Sequence, residues 1–249
     1  MNQPQPLWDR DVTRVFPVTG LDFRVSDDRW SFADVHSAEI DAHWAQRLRQ
    51  TPNFFNGTVH LLAAYSVSAA GLLSARFVRT DFKSFLYWRE SGWPDRSVMD
   101  AFGSALIVSL TGQVLLGRQR DGNLNSGLCY PPSGFIDPAD VQPEGTIDIE
   151  GGVLREVREE TGLGSVALRR SGGYLIAVAG PVLSIAVRFQ STLGDAELVG
   201  HCARYIADDP KSELASVLLV PSGDAPADLT MPDYARALLR ELPGLKSFA

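Results

Sequence analysis

The nine residues Arg155-Glu156-Val157-Arg158-Glu159-Glu160-Thr161-Gly162-Leu163 constrain this chain more than any other stretch. At about 100° per residue, Glu156, Glu159 and Glu160 stand at i, i+3 and i+4 and share one helix face. Three carboxylates on one face repel each other unless a cation sits between them. Their oxygens are hard ligands suited to Mg²⁺, with Mn²⁺ as a substitute. Arg155, four positions before Glu159, can pair with that carboxylate and hold it in place. Val153 and Val157 supply a core-facing side, which leaves the glutamates facing out. Asp148 is the expected N-cap, and Gly162 is a suitable residue to stop the helix. Gly151-Gly152 in the first turns costs about 1 kcal/mol per glycine relative to Ala. That fits either close backbone packing or tolerance of a weak first turn.

Glu-rich runs on helices are usually just solvated faces, but the flanking residues of this one argue otherwise. The run resembles the second half of the Nudix box, G-x5-E-x7-R-E-U-x-E-E-x-G-U, where U is a bulky aliphatic residue. Arg155, Glu156, Val157, Glu159, Glu160, Gly162 and Leu163 fill every specified position of that half. The first half departs from the pattern. Its leading glycine is best matched by Gly134, in Pro132-Ser133-Gly134, which places twenty residues before Arg155 where the family has thirteen. The position eight before Arg155, where the family has a glutamate, is Ile147. The resemblance implies an α/β fold, a Nudix α/β/α sandwich over residues 99–249, with residues 1–98 as an N-terminal α+β extension. It also implies metal ligation by Glu156, Glu159 and Glu160, with Arg155 orienting Glu159. The layout of the first hundred residues resembles the subgroup that hydrolyses UDP-glucose and UDP-galactose.

Composition narrows the partners. The 249 residues are 45% hydrophobic, enough for a proper core. A net charge of −7 argues against nucleic acid as the main partner, because neutralising phosphates needs a basic surface. A small nucleotide needs only a few local cations and a metal. Two cysteines without metal spacing, no apolar leader and no apolar run near the ~20 residues of a membrane span predict a reduced, cytoplasmic protein. A homodimer, with the N-terminal module as contact surface, is the oligomer the family suggests.

Along the chain, Val12 to Val18 reads as a strand. Asp34 to Gln50 reads as a helix striped by Ile40, Trp44 and Leu48, with His36 and His43 as satisfied histidines rather than ligands. Asn56-Gly57 marks a turn before two strands, Thr58 to Ser68 and Leu72 to Thr80, that pair as a hairpin. Thr80 or Asp81 caps a short helix carrying Phe82, Phe85 and Leu86, a face suited to core packing, a domain seam or base stacking. Gly92-Trp93-Pro94-Asp95 marks a boundary. A hairpin of Ala101 to Leu110 and Gln113 to Arg120 follows, then a polar loop from Asp121 to Tyr130. Strands are expected at Val166 to Val178, Pro181 to Leu193 and Ala215 to Pro221, and an amphipathic helix at Pro232 to Leu242. Arg118 and Arg120, at a strand end, are candidates for substrate phosphates, as is Gly134 for the substrate side of the box. Glu213, in the acidic loop Asp208 to Glu213, is the candidate general base, with a plain surface role as its alternative.

These residues point to Mg²⁺-dependent cleavage of the pyrophosphate bond in a nucleoside diphosphate linked to another group X, a UDP-sugar among the options. An ADP-ribose or dinucleotide pyrophosphatase is a second reading. A catalytically silent nucleotide sensor or interaction module, suggested by Ile147 and the lengthened loop, is a third.

Overall fold

The computed structural model describes residues 6–223 and 225–244. Strands β1 (Thr13–Val18) and β2 (Gly20–Ser26) lead into helices α1 (Ser31–Val35) and α2 (Ser37–Gln50). Next come β3 (Thr58–Val67), β4 (Leu72–Asp81) and α3 (Phe82–Glu90). The remainder runs β5 (Asp100–Val108), β6 (Gln113–Gln119), the short strands β7 (Cys129–Tyr130) and β8 (Ser133–Phe135), α4 (Ile149–Thr161), β9 (Leu168–Ala179), β10 (Val182–Ser191), α5 (Asp195–Asp208), β11 (Leu214–Pro221) and α6 (Asp233–Glu241).

A large mixed sheet has the order β1-β9-β10-β5-β6-β11, with β8 beside β5 and β7 beside β6. The alternation of β10 decides its two faces. Leu183, Ile185, Val187 and Phe189 pack with Val153 and Val157 of α4 and Leu198 and Cys202 of α5. Ala186 turns the other way and joins Leu175, Ala177 and the α6 residues Tyr234, Ala235, Leu238 and Leu239. The result is the expected α/β/α sandwich. Each large aliphatic side chain buried in these layers stabilises the fold by about 1.5–3 kcal/mol.

The smaller sheet, β2-β4-β3, contains the expected hairpin and one strand the sequence reading did not separate, β2, which runs parallel to β4. β1 does not join it; it lies antiparallel along β9 at the edge of the large sheet. Phe23, Leu62 and Phe77 share one core with Met99, Ile147, Val153 and Ile185, so β2, β3 and β4 pack against the later part of the chain. A separate aromatic cluster of Trp30, Phe32, Phe85 and Trp88 fills the space between β3, β4 and the first three helices.

Three expectations need correction. The helix expected from Asp34 is two helices that break at His36, whose φ of −103° and ψ of 21° leave the α region. α5 had no place in the sequence reading, although Leu198, Cys202 and Ile206 at four-residue spacing mark its buried stripe. The β5–β6 hairpin forms only at its base, where Val108 faces Val114. Beyond that point the strands part, β5 taking β8 as its neighbour and β6 taking β7 and β11. This parting opens the molecule's central cleft.

Candidate active site

The cleft has a volume of about 500 Å³. Its floor is Asp100 and Phe102 of β5, Gln119 of β6, Tyr130 of β7, and Ser133 to Phe135 of β8. Glu156 and Asp137 stand at one end, Glu213 enters from the segment before β11, and Phe55 and Phe82 form an aromatic wall from the N-terminal part. α4 meets the sheet closely under this cleft. A Cβ built on Gly134 would lie 2.2 Å from Cδ of Glu156, and one on Gly103 would lie 2.5 Å from Val153. Only glycine at both places lets the helix bring its acids to the cleft.

α4 starts and stops as its sequence predicts. The Asp148 carboxylate accepts a hydrogen bond from the Gly151 N–H at 2.9 Å, and Gly162 takes the left-handed conformation with φ 70°. The two glycines of the first turn are a matter of packing: a Cβ on Gly152 would come within 2.8 Å of the Asp140 carboxylate.

The acids do not all face outward. Glu159 does, with 61% of its side chain exposed, but Glu160 is only 4% exposed and Glu156 is largely covered. The cause is β8, which lies over that side of α4. Burial, offset by Arg155 and reinforced by the charges of Glu159 and Glu213, pushes the Glu156 carboxyl up to about 7. Burial and the neighbouring Glu156 and Glu213 raise Glu160 well above the carboxylate range, against hydrogen bonds from the Ser133 backbone and the Gln119 side chain. Oε2 of Glu160 is buried without a hydrogen-bond partner. Glu213 is raised too, first by the protein packed around it and then by Glu159, although the residue as a whole meets solvent. Glu156 therefore senses the charges of Glu159 and Glu213, Glu160 those of Glu156 and Glu213, and Glu213 that of Glu159.

Arg155 is held by more acids than its spacing suggested. The contact to Glu159 exists at 3.5 Å, but shorter ones reach Glu156 at 2.6 Å, Asp140 at 3.1 Å and Asp137 at 3.2 Å. Asp137 and Asp140 form a capping box around the turn Pro138–Asp140. Asp140 is the sixth residue after Gly134, where the resemblance places its first acid when counted from the glycine. The extra residues lie after it. Val141 bridges to Ile147 around a turn closed by Gly145 N–H donating to Gln142, and Thr146 bridges to Arg24 of β2. Ile147 points into the core, while Asp140 contacts Arg155.

The other residues named from sequence fall in different places. Arg120 donates to the carbonyls of Pro210 and Leu214, and neither it nor Arg118 lines the cleft. Gln119 between them does, because successive strand residues face opposite sides. His43 pairs through Nε2 with Glu90 at 2.7 Å, but its buried Nδ1 has no partner among the described residues, so it is satisfied only in part. Phe85 and Leu86 are core, while Phe82 reaches the cleft wall. Asp100, Arg89 and Asn125 are cleft residues that sequence reasoning did not name. They come from three distant segments and share no local pattern.

The acids fit a hard divalent cation by their chemistry: buried carboxylates whose charges oppose each other, one with an unpartnered oxygen. As the side chains stand, no three acidic, histidine or cysteine groups among the described residues close around one point. Glu156 is turned onto Arg155 instead. Cys129 and Cys202 are both free and buried. No helix among the described residues is long and apolar enough to cross a membrane.

No family model matches the chain, and no curated protein matches it. Among solved structures it is similar to a MutT protein from Methanosarcina mazei Go1, at 23% identity over 59% of this chain and 94% of that one, with a TM-score of 0.41. It is similar to a Nudix hydrolase from M. smegmatis, RenU, at 19% identity over 60% and 87%, with a TM-score of 0.38. An ADP-ribose pyrophosphatase from Streptococcus suis matches at 18% identity over 60% and 93%, with a TM-score of 0.37.

Proposed function

We propose that this chain is a Nudix-type hydrolase that cleaves the pyrophosphate bond of a nucleoside diphosphate linked to X, giving a nucleoside monophosphate and a phosphorylated X. The observation that carries the reading is the set Glu156, Glu159, Glu160 and Glu213, electrostatically coupled beside an aromatic-lined cleft. Glu156, Glu159 and Glu160 would hold Mg²⁺ or Mn²⁺. The bound ion would supply charge neutralisation for the diphosphate and a lowered pKa for a nearby water.

The reaction consumes one water. A P–O bond forms to its oxygen as the bridging P–O bond breaks, and the bridging oxygen leaves on the other phosphate. Glu213 opens onto the cleft, and burial and the charge of Glu159 raise its carboxyl from the ordinary value, so it is suited to take the water's proton. Arg155 keeps Glu156 and Glu159 in register with the turn Pro138–Asp140. The aromatic wall takes the nucleoside and keeps water off the apolar part of the cleft. UDP-glucose is the first substrate to test, because of the layout of the first hundred residues, with ADP-ribose beside it.

The test is a panel of UDP-glucose, UDP-galactose, ADP-ribose and NADH with Mg²⁺ or Mn²⁺, scoring release of monophosphate. Turnover of any member, abolished in Glu159→Gln with the melting temperature unchanged, supports the reading. A sensor reading draws on one observation, the Glu156 carboxylate resting on Arg155. Nucleotide binding without turnover under either metal would favour it.

A further inference from the structure

The same cleft holds a second polar site, built around Asp100. Its carboxyl belongs to a residue that is 7% exposed and lines the cleft, yet among the described residues nothing donates a hydrogen bond to it. Its oxygens are not among the fully enclosed atoms without a partner, so they meet the cleft space, and a carboxylate so little hydrated gains from a donor there. Asp100 and Phe102 are two apart on β5 and so face the same side, into the cleft. Arg89, the nearby positive charge, bonds elsewhere. Its Nη2 donates to Oδ1 of Asn125 at 2.7 Å, and Nδ2 of Asn125 donates to the Tyr130 hydroxyl at 3.0 Å. The arrangement leaves one anionic acceptor open at the cleft floor, with its cationic neighbour bonded to Asn125.

Position limits what can reach it. Gly103 pairs with Gly134, against which Glu156 packs, and Asp100 is three residues further along β5. At about 3.3 Å per residue that is about 10 Å from the acidic end. A nucleotide anchored by its phosphates extends that far, and a bare diphosphate does not. The walls over the site are flat and apolar: Phe82, Phe135 and Phe55, the last 81% exposed and so without a packing partner of its own.

We propose that Asp100 is the specificity-determining residue for the nucleoside end of the substrate, its carboxylate accepting two adjacent donors while the phenylalanines cover the flat face. This rests on the cleft being the substrate site proposed above. Two parts of a nucleotide present such a donor pair: the vicinal ribose hydroxyls, and a ring N–H beside an exocyclic amine, as in guanine.

Equilibrium binding of AMP, GMP, IMP, UMP and CMP to the full chain, with their 2′,3′-dideoxy forms, tests the site without relying on turnover. Asp100→Asn keeps the volume and replaces one acceptor oxygen with a donor. The best-bound monophosphate is expected to weaken roughly 10- to 100-fold in this variant. Inorganic diphosphate in Mn²⁺, which reports the acidic end, should bind within about twofold of wild type. If the dideoxy form loses affinity for wild type to the same degree, the donors are the hydroxyls; if IMP falls below GMP, they are on the base. Equal nucleotide binding by variant and wild type, or loss of diphosphate binding alongside it, overturns the proposal. So does a wild type that binds no monophosphate. A hydrolysis panel that stays silent while Asp100-dependent binding persists would count against the enzyme reading alone.

Discussion

Asp140 and Arg155 meet at 3.1 Å although they are fifteen positions apart, separated by a small hairpin pinned to β2 and the first turns of α4. The contact joins the turn after β8 to the acidic helix, so the guanidinium is fixed before any ion is bound. Asp140→Asn removes the charge while keeping the shape. It is expected to lower kcat roughly 10- to 100-fold, as losing a residue that orients ligands does, and to weaken Mn²⁺ binding to a similar degree. The KM for the nucleotide should stay within about threefold, because Asp140 lies outside the cleft lining. Steady-state kinetics and an Mn²⁺ titration read both numbers; an unchanged kcat would leave the pair with a structural role only.

The same hairpin explains Ile147. Its N–H donates to the Phe23 carbonyl at 3.0 Å and its side chain is part of the main core. Counting back from Arg155 makes this the family's first-glutamate position, so Ile147→Glu would look like a repair. The structure predicts the opposite. A carboxylate there has no partner and displaces an apolar side chain, at a cost of ~3 kcal/mol or more. Denaturant melts should show that loss, with no gain in turnover per folded molecule.

Gly134→Ala separates packing from catalysis. The added Cβ would lie 2.2 Å from Cδ of Glu156, well inside contact distance. The obstacle is the end of a flexible side chain, so the fold should lose no more than about 1 kcal/mol while the carboxylate is pushed aside. A displacement of this order at a residue proposed to hold the metal is expected to lower kcat by roughly 100-fold. Near-native kcat in a folded Gly134→Ala protein would place the chemistry away from Glu156.

How much of this was legible in the sequence depended on whether the signal was local. α4 could be read because its cap, its valines and its acids all lie within one helix. The strands could be read from alternation, as Leu183, Ile185, Val187 and Phe189 show. α5 carried an equally local stripe at Leu198, Cys202 and Ile206, and reading that spacing would have found it. Asp140 was hidden by direction of counting: forward from Gly134 it falls in place, but the inserted hairpin shifts every position counted back from Arg155. Arg120 looked available for phosphate because the carbonyls of Pro210 and Leu214 that occupy it are ninety or more positions away. The outward orientation expected of Glu160 failed for the same reason, since β8 covers it from outside the helix. Asp100, Arg89 and Asn125 meet only once the sheets have packed.

Asp100 also predicts how stability depends on pH. Burial, partly offset by the Arg89 charge, pushes its carboxyl from the ordinary 3.8 up to about 6. The folded state therefore favours the protonated form. Its contribution is fully present below about pH 3.8 and is lost as the pH rises through about 6, after which the fold must hold a buried charge. Asp100→Asn, which cannot ionise, escapes that penalty. The variant should exceed wild type in stability by up to about 3 kcal/mol at pH 8, or roughly 6–12 °C in melting temperature for a chain of this size. The gap should shrink between pH 6 and pH 4, and comparing the two proteins at each pH cancels the other titrating groups. A variant less stable than wild type at pH 8 would mean that the attraction between Asp100 and Arg89 outweighs the cost of burying the carboxylate.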